Sequence, residues 1–124
     1  MVENKKKILI VEDDAAIFNM YKGALEKDGY VVLEGKDGEE GLRLAGNLPD
    51  LVLLDIILPK IDGFGVLQKL KADPKTKNIP VIMLTNLGQD EDKELGKKLG
   101  AADYWVKASF TPGQMSEKIK QYLK

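Results

Sequence analysis

Five short apolar runs, each followed by a stretch of helical spacing, constrain the fold of this chain more than any other feature. The runs are "KILIV" (7–11), "YVVLEG" (30–35), "LVLLD" (51–55), "PVIML" (80–84) and "DYWV" (103–106). They are too short for helices and rich in leucine and β-branched residues, as strands buried on both faces should be. Between them the period changes. Ala16, Ile17, Met20, Tyr21, Ala24 and Leu25 repeat at helical spacing, with Asp14 as the expected N-cap and Gly29 just past the end. Asp37 should cap a second helix carrying Leu42 and Ala45, with Glu40 as its capping-box partner. Phe64, Leu67 and Leu70 form the stripe of a third. A fourth, from Asp90 to Leu99, has only Leu95 and Leu99 as its apolar stripe and Gly96 inside it, so it should be the most weakly held. Thr111, Pro112 and Gln114 open the fifth with a capping box and a first-position proline, and Met115, Ile119 and Tyr122 should face inward.

Alternation of this kind means a parallel sheet covered by helices on both faces. Five strands are too few for an eight-stranded barrel. The five-stranded open arrangement is the α/β doubly wound, flavodoxin-like one, with strand order 2-1-3-4-5, five helices and right-handed crossovers. The chain has 124 residues and no linker or repeat, so residues 1–124 are read as one domain. No apolar stretch is long enough for a transmembrane helix or a signal-peptide core, and a cytoplasmic location is expected.

The third run ends on a carboxylate, Asp55, which is costly to bury without a partner. The expected topology supplies a reason. The chain reverses direction between the first and third strands, and ligands bind beyond the strand ends at such a switch point. Glu12 and Asp13 follow the first strand there. Asp14 is read as a helix cap and nothing more. Three clustered anions repel unless a cation sits among them. With neither histidine nor cysteine in the chain, the donors are oxygens alone, which select Mg²⁺ first and Mn²⁺ second. Thr85 and Lys107 follow the fourth and fifth strands on the same rim. A hydroxyl, an ammonium and a metal facing a carboxylate nucleophile are what a phosphoryl group requires. Net charge is -1, which suggests neither a nucleic-acid nor a membrane surface, and no direct nucleic-acid binding is expected.

Taken in order, these stretches resemble the receiver domain of two-component response regulators over essentially the whole chain. "ILIVEDD" resembles the family's acidic opening, "DIILPKIDG" its D-x-x-x-P-x-x-D-G phosphoacceptor stretch, and "LTN" and "YWVK" its later threonine and lysine positions. The resemblance implies that Asp55 is phosphorylated by a histidine kinase, phosphotransfer protein or small phosphodonor. It implies that Glu12, Asp13, Asp55 and the backbone carbonyl of Ile57 hold Mg²⁺, and that Thr85 and Lys107 read the phosphoryl group. Tyr104 matches the family's aromatic switch, and the face of the fourth helix, fifth strand and fifth helix would meet a downstream protein target. The domain would be no enzyme in its own right, only assisting its own phosphorylation and slow dephosphorylation. Pro59 and Gly63 are read as turn chemistry alone.

Four positions depart from the family's commonest pattern. Asn86 follows the threonine in place of a small residue. Ile57 and Leu87 stand where fast-dephosphorylating members carry polar residues, which predicts a long-lived phosphoryl group. Ala108 replaces a proline after Lys107, so a trans bond is expected there. Rival readings share the fold or the chemistry. A flavodoxin-like cofactor binder would need a phosphate-cradling loop where Glu12-Asp13-Asp14 stands. An aspartate-dependent phosphohydrolase would need a carboxylate where Ile57 stands. A receiver-like adaptor acting without phosphorylation would not need the acid, hydroxyl and lysine set.

Overall fold

The computed structural model describes residues 5–86 and 90–123, the side chain of Ala108 excepted. Its sheet has five parallel strands in the order β2-β1-β3-β4-β5, as the alternation predicts. The strands are β1 (Lys7–Val11), β2 (Val31–Gly35), β3 (Leu51–Asp55), β4 (Val81–Thr85) and β5 (Asp103–Val106). The helices are α1 (Ala15–Lys27), α2 (Gly38–Ala45), α3 (Gly63–Ala72), α4 (Asp90–Lys98) and α5 (Pro112–Lys120), with a 3₁₀ turn at Lys107–Ser109.

Side chains alternate across each strand, so the core divides by parity. Ile8, Ile10, Leu51, Leu53, Ile82, Leu84 and Trp105 pack with Phe18, Tyr21 and Leu25 of α1 and Met115 and Ile119 of α5. Leu9, Val11, Val52, Leu54, Val81 and Met83 pack on the other face with Ala45 of α2 and Val66, Leu67 and Leu70 of α3. The same parity carries past the strand ends. Glu12, Asp55 and Lys107 continue the first face, and Thr85 the second.

Most helix ends follow the expected chemistry. Asp14 accepts from the N–H groups of Ala16 and Ile17, and Gly29, at φ 93°, lies just beyond α1. Thr111 and Gln114 form the full capping box of α5. At α2 the expectation is half met. Asp37 accepts from Glu40 N–H at 2.8 Å, but Glu40 reaches one residue further back, to Lys36 N–H at 3.1 Å. Asp37 is fully extended (φ -151°, ψ 177°), which carries its own N–H away from the first turn.

The stripe expected on α4 is half met: Leu99, just past the helix, packs against the α2/α3 side of the core, but Leu95 does not. Leu95 is 40% exposed rather than inward, and the buried residue of α4 is Gly96. A Cβ at Gly96 would stand 3.4 Å from the Tyr104 ring and 3.6 Å from Met83. The helix therefore meets the sheet through its one residue without a side chain, and Leu95 is turned off that line.

α5 is tied down by polar contacts as well as by Met115 and Ile119. The Ser116 hydroxyl donates to Asp28, and the Tyr122 phenol donates to Asp103 at 2.7 Å. Trp105 packs edge-on against Phe110 at 5.5 Å, with the Lys118 ammonium 5.4 Å from its ring centre. Burial pushes the Asp103 carboxyl up, but the bonds from Tyr122 and from Tyr104 N–H outweigh it and hold it below the usual aspartate value. The same contact, together with burial, pushes Tyr122 up to about 12. A depressed carboxylate stabilises the fold above its unfolded pKa, and that contribution is lost as pH falls through the folded value. Tyr122→Phe should therefore cost about 1 kcal/mol at neutral pH, less than is usual for a bond to a charged group because Asp103 is only half-buried. Urea unfolding at pH 7 and at pH 2.5 checks this, with the difference from wild type expected to shrink at the lower pH.

Candidate functional site

Strand register builds the site. Val11 pairs with Leu54, so Glu12, one residue on, stands beside Asp55. Asp55 pairs with Leu84, and Thr85 pairs with Val106, so Thr85 and Lys107 each lie one step further around the rim. One cleft at the carboxyl ends of β1, β3, β4 and β5 is lined by Glu12, Asp13, Asp55, Ile57, Thr85 and Lys107, with Ile17 and Asn86 beside them.

Glu12 is 2% exposed and Asp55 7%, whereas Asp13 faces solvent. Oxygens of the three carboxylates lie within 4.8 Å of one another. The Lys107 ammonium donates to Glu12 Oε1 at 2.5 Å and to Asp55 Oδ2 at 2.9 Å. Glu12 Oε2 also accepts from Asp14 N–H at 3.2 Å, and Asp55 Oδ1 from Ile57 N–H at a long 3.4 Å. Burial pushes the Glu12 carboxyl above its ordinary value, against the pull of the Lys107 ammonium. Burial pulls Lys107 down, but its bonds to Glu12 and Asp55 prevail and hold it above the ordinary lysine value.

Thr85 is 2% exposed, and its side chain is hydrogen-bonded to the Tyr104 phenol. Tyr104 is half-buried against the α2/α3 side of the sheet, beside Gly96. Burial raises its phenol despite the Thr85 contact. The site thus has two halves. The acids and Lys107 continue one sheet face, and the Thr85–Tyr104 pair continues the other and points toward α4.

Of the expected site residues, Glu12, Asp13, Asp55, Ile57, Thr85 and Lys107 share the cleft, while Tyr104 touches it through Thr85. Leu87 lies outside the described residues; the bond between Lys107 and Ala108 is trans, as expected. Gly63 is a correction. Beyond any turn chemistry, it is the buried first residue of α3, and a Cβ there would stand 2.3 Å from Asp55 O and 2.7 Å from Ile56 Cα. Its N–H donates to Ile56 O at 2.7 Å. No side chain fits between α3 and the backbone that carries Asp55. Asn86, noted only as a departure, is a further lining residue; its place directly after Thr85 was the available signal.

The donor set suits a hard divalent cation. Three carboxylates against one ammonium leave two negative charges, all on oxygen, in a cleft open on the Asp13 side. Fold and site together define a parallel α/β domain with an acidic, lysine-bridged cleft at its topological switch point. Residues 8–120 match the response regulator receiver domain model, and the chain belongs to that family. It is a phosphoacceptor signalling domain of the two-component type.

The chain is 45% identical over 119 residues to the DNA-binding dual master transcriptional regulator RpaA of Synechocystis sp., covering 95% of this chain and 49% of that protein. It is 43% identical over 124 residues to a probable transcriptional regulator, ycf27, of Guillardia theta, covering 99% and 47%. The chain thus spans about half the length of these relatives. Among solved structures it resembles the chemotaxis protein CheY4 of Vibrio cholerae, with a TM-score of 0.89, 29% identity and coverage of 96% and 99%. The relatives, named as DNA-binding or transcriptional regulators, overturn one expectation, that of no direct nucleic-acid binding. That expectation rested on a net charge of -1, which describes the surface of these 124 residues alone. The net charge of these residues does not report on what the other half of such a relative binds. Among the described residues, no helix is long and apolar enough to cross a membrane.

Proposed function

We propose that Asp55 is the phosphoacceptor, taking a phosphoryl group from a histidine kinase, a phosphotransfer protein or a small phosphodonor. The observation that carries this reading is the Lys107 ammonium shared between Glu12 and Asp55, with Asp13 open beside them. Glu12, Asp13, Asp55 and the Ile57 backbone carbonyl would hold Mg²⁺, with Mn²⁺ as substitute. The bound cation would supply charge neutralisation for the phosphoryl oxygens. Lys107 would pair with one of those oxygens, and the Thr85 hydroxyl would donate to another. That second bond competes with the Thr85–Tyr104 contact, so phosphorylation would be felt at Tyr104, at Gly96 behind it, and at the face built by α4, β5 and α5. The domain would assist its own phosphorylation and slow dephosphorylation without a substrate of its own. Residues 1–124 would act as one unit, in the cytoplasm. The effector would be a nucleic-acid-binding one, as the names of the relatives suggest, whether on the same chain or another.

Intact mass after treatment with acetyl or carbamoyl phosphate and Mg²⁺ tests this, with one phosphoryl group expected per chain. No gain would leave the receiver-like adaptor as the better reading.

Ile57 is 69% exposed at the cleft mouth and offers no group to orient an attacking water. The phosphoryl group on the wild type should therefore be long-lived, and Ile57→Asn should lose it several times faster. Following the phosphorylated mass over time after removal of donor decides the matter, and equal decay in the two proteins would count against this account.

A further inference from the structure

The loop after Asp55 runs from Ile56 to Asp62, the cap of α3, and is closed at its base by the Gly63–Ile56 hydrogen bond. Its tip is held from elsewhere, by the first turn of α2. Gly38 N–H donates to Pro59 O at 3.3 Å, and Ile61 N–H donates to the same carbonyl at 2.9 Å. Gly38 is buried, and a Cβ there would stand 2.1 Å from Ile61 O and 2.8 Å from Ile61 Cβ. Its φ lies outside the left-handed region, so close approach and not backbone freedom requires the glycine. Lys60, at the tip, does sit in that region, at φ 70°, which is unfavourable for a residue with a side chain. Its ammonium lies 3.6 Å from Asp37 and 3.5 Å from Glu39, on either side of Gly38. Backbone contact and charge thus fasten the same loop to the same helix turn.

We infer that Gly38 and Lys60 are positioning residues for the metal side of the cleft. The first turn of α2 sets where the loop carrying Ile57 stands, and so tunes cation affinity without providing a ligand. This rests on the phosphoacceptor reading, in which the Ile57 carbonyl is a ligand and Asp55 both ligand and acceptor. Groups that orient metal ligands typically cost about 10–100-fold in affinity when changed. A Cβ at Gly38 pushes the loop away from α2, whereas Lys60→Gly keeps the close approach while relieving the left-handed backbone and removing the ion pairs.

The test is Mn²⁺ binding, read as free Mn²⁺ by electron paramagnetic resonance, on proteins shown folded by circular dichroism well below their melting temperatures. Gly38→Ala should bind about tenfold more weakly. Its phosphorylation by acetyl phosphate should be slow at low Mg²⁺ and return to the wild-type rate as Mg²⁺ is raised, a rescue that general loosening of the fold would not give. Lys60→Gly should weaken binding less, and its difference from wild type should vanish at high salt. A folded Gly38→Ala with wild-type Mn²⁺ affinity, or one whose slow rate Mg²⁺ does not restore, would overturn the inference. If Gly38→Ala does not fold, Lys60→Gly decides: weaker binding at low salt supports the inference, and unchanged affinity there overturns it. A wild type that neither binds Mn²⁺ nor gains mass from the donor would instead overturn the phosphoacceptor reading itself.

Discussion

Asp55→Asn should gain no phosphoryl group from acetyl phosphate under conditions that load the wild type fully. The amide matches the carboxylate in size and can still occupy the end of β3, but it is no nucleophile, so the loss should be total. The fold should survive. Asp55 is one of two carboxylates bonded to the same ammonium, and removing its charge leaves Glu12 still paired with Lys107 at 2.5 Å. It also lowers the repulsion between the acids, so in the absence of metal the melting temperature should hold or rise. Intact mass and a thermal melt check both halves. A mass gain equal to wild type would point to another acceptor, with Asp13, in the same cleft, the first to examine.

Lys107→Met should produce the largest loss of stability of any change at the site. The Lys107 side chain is 7% exposed and is the cation that the structure places between Glu12 and Asp55, themselves 2% and 7% exposed. Removing one member of a buried ionic group leaves the others uncompensated, at a cost of about 3–5 kcal/mol. The low end is expected here because Asp13 leaves one side of the cleft open to water. Methionine fills most of the volume, so the loss is electrostatic and not a cavity. A divalent cation can replace part of the missing charge and binds only the folded cluster, so Mg²⁺ should restore much of the stability. Urea unfolding with and without Mg²⁺ measures this. Mg²⁺ should shift the variant's midpoint more than the wild type's. Equal shifts would mean that lysine and metal do not share the charge of the same acids.

Much of the fold was legible because its signals are local. Asp14 and Thr111 cap helices through atoms two or three residues away, and an apolar run of five residues is a strand whatever stands opposite. Five strands in an open doubly wound sheet then suggest the order 2-1-3-4-5, and that order gathers Glu12, Asp13, Asp55, Thr85 and Lys107 on one rim. The division of the site needed the strand register, because β1, β3 and β4 are apolar on both faces and only their pairing puts Glu12, Asp55 and Lys107 on one face and Thr85 on the other.

The tertiary structure decided what depends on a facing element. In sequence, Gly63 reads as a turn and Gly96 as a weak point in α4, and Gly38 has no reading of its own behind the Asp37 cap. Gly38 and Gly63 prove to be where a helix presses on backbone too closely for a Cβ, at Ile61 and Asp55, whereas Gly96 is the buried contact of α4, where a Cβ would meet Tyr104 at ordinary contact distance. Leu95, apolar and at helical spacing, is left exposed because Gly96 makes the contact instead. A glycine states only that a side chain is absent. What occupies the vacated space lies 23 residues along the chain from Gly38, at Ile61, and periodicity along one segment carries no information about that distance.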